Sequence, residues 1–264
     1  MSPPPPRTSW WGRAELWFPI RFVRWISLWV FSALFWVVFL SFFLLSFKRL
    51  PKPWVGKWVR VWGRTTLWLL GIRLYLVNPS PMTSTEARVV ITNHQSAMDL
   101  IWGAAICPPG PLVIGKKEVI FIPILNLIFW VMDFIRIDRS DPVRAIQAIS
   151  GVASLIREEA RSLVMAPEGT RTLTGALLPF KKGAFHIATQ GQVPLYPIVV
   201  HGAFDLWPKK NLIPWPGTVY MKFLPPVPTA GLGSQDVEKL ATQVRSTMAE
   251  AFEALRKEYP DVRA

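Results

Sequence analysis

The chain has 264 residues, 51% hydrophobic and 18% charged, enough apolar material for a packed core in one or two domains and too much for wholesale disorder. Its one cysteine, Cys107, excludes an internal disulfide framework and a cysteine-based zinc cluster. A net charge of +13 calls for an anionic partner, either nucleic acid or a membrane surface.

The placement of the charge decides between the two. Residues 1–85 hold 11 Lys and Arg against one acid, Glu15, a net +10, and 10 of the 14 tryptophans. Residues 86–264 carry only +3. Tryptophan and basic residues around a long apolar run compose a membrane interface. Anionic membrane lipids are therefore the expected partner, and nucleic acid is not.

In chain order, residues 1–8 with their proline run form an extended start. Residues 25–47 are uncharged, and 15 of these 23 are Leu, Ile, Val or Phe. Their insertion into lipid gains about 5–9 kcal/mol before corrections for the serines. As a helix they extend about 35 Å, enough to cross a bilayer core. The run is too long for a signal peptide, and no small-residue cleavage site follows it.

Pro51 and Pro53 end that helix and open another. On a helical wheel from Trp54, Trp58 and Trp62 fall at about 40° and 80°, while Lys57, Arg60 and Arg64 cluster at about 240–300°. That pattern predicts an amphipathic helix with an aromatic face and a basic face, suited to lying in the headgroup layer; an ordinary helix covering the following domain is the other reading. Basic residues flank the apolar run on both sides, so charge gives no orientation. A single span and a helix pair dipping into one leaflet both remain. The pair accounts for the symmetric charge, with all basic residues on the cytoplasmic side.

From residue 72 short apolar runs alternate with amphipathic segments. The patterning predicts strands at 72–77, 88–92, 111–115, 134–138, 162–166, 195–201 and 218–224. It predicts helices at 97–106, 121–132, 142–160, 183–190 and 235–258, with caps at Ser96, Asp141 and Ser234. This alternation implies an α/β fold, a mixed, largely parallel sheet flanked by helices. The division is a membrane-associated two-helix segment at 1–71 and an α/β domain at 72–264.

The chemistry concentrates at predicted strand ends. After the strand ending at Thr92 comes NHQSAMD, in which His94 and Asp99 are five apart. Within one helix they would lie about 140° apart. They meet only if His94 sits in the loop and Asp99 in the first helical turn, where the carboxylate can orient one ring nitrogen and leave the other to take a proton. After 162–166 comes PEGTR, with a turn-forming Gly169 and Arg171, whose planar fork suits phosphate oxygens. Lys116, Lys117 and Arg139 close two other predicted strands, and Lys181 and Lys182 follow PEGTR. Several cations at strand ends suggest an anionic ligand. His186 and His201 read as structural, and Cys107 as a helix end. No G-x-S-x-G elbow of a lipid hydrolase is present.

Together NHQSAMD, the stretch from GKKE to IDR (115–139), PEGTR with LLPFKKGAFHIA, and VPLYPIVV resemble the four blocks of the glycerolipid acyltransferases, in particular the 1-acyl-sn-glycerol-3-phosphate type. The likeness covers roughly 87–201. Ala166 and Arg136 stand where aromatic residues are usual. The resemblance implies acyl transfer from acyl-CoA or acyl-carrier protein to the 2-hydroxyl of lysophosphatidate, at the cytoplasmic face of a membrane, with no cofactor and no metal. It implies His94 and Asp99 as the catalytic pair and Lys117, Arg139 and Arg171 as phosphate ligands. Glu168, Gly169 and Thr170 would shape the acceptor site. Another lysophospholipid or aminolipid as acceptor, or a non-catalytic lipid-binding role, are the alternatives.

Overall fold

The computed structural model describes residues 14–46, 51–79, 86–116, 135–137 and 142–263. The expected helix 121–132, Asp141, Lys117 and Arg139 lie outside the described residues.

Helix α1 (Ala14–Leu45) carries the apolar run and α2 (Lys52–Leu69) follows. Pro51 and Pro53 sit at the start of α2, where a missing backbone N–H costs nothing. Gly71, at a φ of +69° that suits glycine, turns the chain into β1 (Ile72–Val77). Then come β2 (Arg88–Thr92), α3 (Asp99–Ala105), β3 (Pro111–Lys116), β4 (Ile135–Ile137), α4 (Pro142–Glu158), β5 (Ser162–Met165), α5 (Gly183–Gly191), β6 (Leu195–His201), α6 (Ala203–Leu206), β7 (Gly217–Phe223) and α7 (Val237–Glu258).

The seven strands form one sheet in the order β1-β7-β6-β2-β5-β3-β4. Strands β6, β2, β5, β3 and β4 run parallel; β7 pairs antiparallel with β6 and parallel with β1. The mixed, largely parallel sheet is the expected one. All five residues of β2 are buried between β5 and β6, the apolar Val89, Val90 and Ile91 at its centre and the polar Arg88 and Thr92 at its ends. On α7, Val237, Leu240, Ala241, Val244, Met248, Phe252 and Leu255 are buried at helical spacing. The helix starts later than expected, because a 3-10 turn occupies 234–236 and Asp236 rather than Ser234 stands at its N-cap.

The helix pair corrects one expectation. Helices α1 and α2 are antiparallel: the Trp62 indole donates to Ser32 Oγ at 3.1 Å, and Trp58 packs against Phe39 at 5.5 Å. Trp58 and Trp62 of the tryptophan face therefore meet α1 rather than a headgroup layer, while Trp54 stays exposed. Two arginines of the basic face turn to the domain. Arg60 donates to Cys107 O at 2.6 Å and Arg64 to Ala105 O at 3.3 Å, at the carbonyl-rich end of α3. A Cβ on Gly63 would lie 2.8 Å from the backbone carbon of Ala104, so only glycine allows this approach of α2 to α3. Leu28, Trp36, Phe39, Val55 and Val59 join one hydrophobic core with the α/β domain.

Among the described residues one helix is long and apolar enough to cross a membrane by length and composition, over Phe18–Leu45. Its outer face leaves Val23, Trp29, Val30, Leu34, Val37 and Val38 exposed.

Candidate active site

Strand β2 ends at Thr92, and Asn93 fastens that end to β6. Its side chain donates to Val200 O at 2.8 Å and accepts from Val200 N–H at 2.8 Å. His94 then lies in the loop and Asp99 in the first turn of α3, the arrangement the spacing demanded. His94 Nδ1 is 2.7 Å from Asp99 Oδ2. An ionised carboxylate only accepts, so Nδ1 carries the proton and Nε2 is the basic nitrogen. The imidazole keeps 33% of its side-chain surface open, and Asp99 keeps 9%. Among the described residues Nε2 has no partner.

Asp99 also accepts from Gln95 N–H at 2.7 Å and Ser96 N–H at 2.9 Å, and its Oδ1 accepts from the Trp102 indole at 2.8 Å. Ser96 acts differently from the expected helix cap. Its hydroxyl accepts Met98 N–H at 3.1 Å in the turn before α3 and donates to Trp207 O at 2.7 Å.

PEGTR follows β5, next to β2, so the parallel sheet brings the two motifs together. Gly169 takes a φ of +70°, and its N–H closes a turn to Ala166 O at 3.1 Å. Glu168 is buried. One carboxylate oxygen accepts His94 N–H at 2.8 Å and the other Leu178 N–H at 3.1 Å. Burial raises its pKa above the usual carboxylate range, and these two hydrogen bonds oppose the shift. Thr172 N–H donates to His94 O at 3.0 Å. Both backbone groups of His94 are thus held by the segment after β5.

Arg171 is half-buried and has no ion-pair partner among the described residues, while Thr170 is exposed. Lys181 and Lys182 are exposed, and Lys182 is 3.2 Å from Glu238. His201 is buried at the end of β6, its Nε2 3.0 Å from Tyr259 O. Cys107 is buried, and desolvation pushes its thiol up to about 12. Among the described residues no group of three His, Cys, Asp or Glu is placed to hold a metal.

Sequence reasoning missed Trp102, Thr172, Asn93 and Leu178. Trp102, three residues after Asp99 on one helix, was the only one with a local signal. Thr172 and Leu178 act through their own N–H groups, and the Asn93 side chain acts on the main chain of Val200, 107 residues away.

A family profile described as Acyltransferase matches residues 73–201. The chain is 32% identical over 222 residues to the 1-acyl-sn-glycerol-3-phosphate acyltransferase of Salmonella typhimurium, covering 84% of this chain and 89% of that one. The chain belongs to the acyltransferase family. To the 1-acyl-sn-glycerol-3-phosphate acyltransferase alpha of Homo sapiens this acyltransferase is 39% identical over 186 residues, 70% of its own length and 65% of the human protein's. It thus spans a little under two thirds of that relative. The crystal structure of the 1-acyl-sn-glycerophosphate acyltransferase of Thermotoga maritima superimposes with a TM-score of 0.76 at 23% identity, covering 89% of this chain and 96% of that one. That likeness shows the shared fold.

Proposed function

We propose that this acyltransferase moves a fatty acyl chain from acyl-CoA or acyl-carrier protein to the 2-hydroxyl of 1-acylglycerol 3-phosphate, giving phosphatidic acid. The carrying observation is the His94–Asp99 pair, at 2.7 Å, on a loop whose backbone is held from three sides. His94 Nε2 takes the proton of the acceptor hydroxyl as its oxygen adds to the thioester carbonyl. Asp99 balances the imidazolium charge. Collapse of the tetrahedral intermediate expels the carrier thiolate, which recovers the proton from the imidazolium. The thioester is already activated, so no acyl-enzyme is required.

Arg171, a cation without an ion-pair partner among the described residues, supplies a phosphate ligand, with Lys117 and Arg139 completing the set. Glu168 and Gly169 shape the acceptor site from beneath by fixing the His94 loop and the turn before Arg171; Thr170 stands at its surface.

The substrates live in a bilayer, and the exposed apolar face of α1 is the surface that meets it. Helix α2 is docked on α3, and α1 returns antiparallel along α2. The arrangement supports a helix pair held in the cytoplasmic leaflet, with the domain on the cytoplasmic side. A perpendicular span by α1 would draw α2 and the end of α3 into lipid with it.

The test is an acceptor panel with labelled acyl-CoA and acyl-carrier protein, using purified full-length protein in lipid nanodiscs. Phosphatidate formed from lysophosphatidate, and lost in His94→Ala, is the expected result. Transfer to another lysolipid or an aminolipid in preference would overturn the acceptor assignment.

A further inference from the structure

The loop between α6 and β7 is tied to α1 by a contact the proposed chemistry does not use. Arg21, inside the apolar span of α1, donates to Ile213 O at 2.8 Å and to Pro214 O at 3.2 Å. Its guanidinium carbon lies 3.4 Å from the Trp215 ring centroid. The same ring has Arg263 at 5.2 Å, and Arg263 donates to Asp205 O at 3.0 Å, closing the base of the loop. A cation spent on two carbonyls and a ring fixes this loop against the helix, next to the exposed Phe22 and within a turn of the exposed Phe18.

Beyond that anchor the tip of the loop, residues 209–212, is exposed along its length. It reads Lys209, Lys210, Asn211, Leu212, and Leu212 is 70% exposed. Neither lysine has an ion-pair partner among the described residues. A single exposed leucine is ordinary. Here it stands near two cations without ion-pair partners among the described residues, on a segment fastened to α1 through Arg21.

We propose that residues 209–212 form a second membrane-docking element, in which Leu212 enters the hydrocarbon boundary and Lys209 and Lys210 meet phosphates of an anionic leaflet. The proposal rests on the reading of α1 as membrane-embedded, because Arg21 sets the depth of the loop from that of the helix. The loop is tied to α1 through Arg21, beside the exposed Phe22, and its charge complements an anionic leaflet. Both features favour lipid over an acidic protein.

The tip is also linked to the catalytic loop by consecutive hydrogen bonds. The Trp207 indole donates to Asn211 O at 2.9 Å, and Trp207 O accepts from Ser96 Oγ at 2.7 Å. Ser96 N–H in turn donates to Asp99 at 2.9 Å. Docking the tip therefore holds the mouth of the His94 site at the level of lipid headgroups, where a lysolipid presents its hydroxyl.

The experiment places an environment-sensitive nitrobenzoxadiazole dye at Leu212→Cys in the full chain, reconstituted in phosphatidylcholine–phosphatidylglycerol vesicles. Cys107 is buried and stays unlabelled in the folded protein. Val30→Cys on the outer face of α1 reports whether that helix is embedded, and Lys239→Cys on α7 is the aqueous reference. The expected result is blue-shifted emission and quenching by spin-labelled lipid at 212 and 30, and neither at 239. Adding Lys209→Glu and Lys210→Glu should return the 212 signal toward that of the aqueous reference, each lost lysine being worth about fivefold in local partitioning. An aqueous signal at 212 with an embedded signal at 30 would overturn the docking proposal and leave the membrane reading intact. An aqueous signal at 30 would sink the membrane reading itself. A 212 label that responds only to added acyl-carrier protein would overturn the lipid assignment and give the tip to an acidic protein.

Discussion

Replacement of Asp99 by asparagine separates two jobs of one carboxylate. Asp99 accepts four hydrogen bonds, from His94 Nδ1, the N–H groups of Gln95 and Ser96, and the Trp102 indole. Asparagine has one acceptor oxygen. With that oxygen toward residues 94–96, its NH2 confronts the Trp102 N–H; turned over, it confronts three donors. The first arrangement wins, and it leaves one donor unpaired at a cost of about 1–3 kcal/mol. In a chain of this size each kcal/mol lowers the Tm by about 2–4 °C. The kinetic loss is separate and larger. A neutral amide cannot balance the imidazolium formed when His94 takes the proton, and the same exchange in Ser-His-Asp enzymes lowers kcat by about 10⁴. The expected outcome is a folded protein with a small drop in Tm and a kcat reduced by about 10²–10⁴. Thiol release from acyl-CoA with lysophosphatidate, and a melt of the same sample, measure both. Near-normal turnover in a folded Asp99→Asn protein would refute the role of the pair.

Arg171→Ala should raise the acceptor KM far more than the donor KM, by about 1.5–3 kcal/mol for a charge-assisted contact; an equal effect on a phosphate-free monoacylglycerol would remove Arg171 from phosphate binding. Gly63→Ala should force α2 off α3 and destabilise by about 1–3 kcal/mol, read by denaturant titration; an unchanged midpoint would contradict the close approach. Cys107 should resist maleimide until the protein unfolds. Because its folded pKa is raised to about 12, native stability should fall as pH rises above about 8.5, where the unfolded thiol ionises first. Glu168→Gln should leave one of two N–H groups unpaired, costing about 1–3 kcal/mol. Glu168 binds its proton more tightly in the fold than out of it, so the natural protein should gain stability over the variant as pH falls toward about 4.3. A pH-independent difference would show that Glu168 does not titrate in that window.

Much of the fold was legible because strand signals are local. The expected bounds of β1, β2 and β6 are those observed, β5 ends one residue early, and β7 is shifted by one residue at both ends. The antiparallel direction of β7 was not legible, since alternation carries no direction. Helix α2 was misread for a related reason. A helical wheel separates tryptophan from arginine correctly but says nothing of what each face meets, and two carbonyls near the end of α3 proved the partners of Arg60 and Arg64. At the site, the spacing of His94 and Asp99 required a loop and a first turn, and that is where they stand. Glu168 reaches the His94 backbone across 74 residues of sequence, a link no motif spacing contains.

The two carboxylates together explain how a loop can hold the imidazole of the proposed base in one orientation. Three consecutive N–H groups, of His94, Gln95 and Ser96, point at carboxylate oxygens, the first at Glu168 and the next two at Asp99. Such a row of donors leaves the loop little freedom to rotate the imidazole. Burying two acids costs free energy, and the rise in the Glu168 pKa records that cost, to which the nearby Asp99 charge adds. The hydrogen bonds offset it only while both acids and the loop keep this arrangement. Strain or dissolution of the loop would leave buried charge unpaired, so the chemistry that makes these carboxylates expensive also makes the catalytic geometry stiff. Their placement follows from the sheet: β2 and β5 are parallel neighbours, so the loops bearing His94 and Glu168 emerge side by side at the same end.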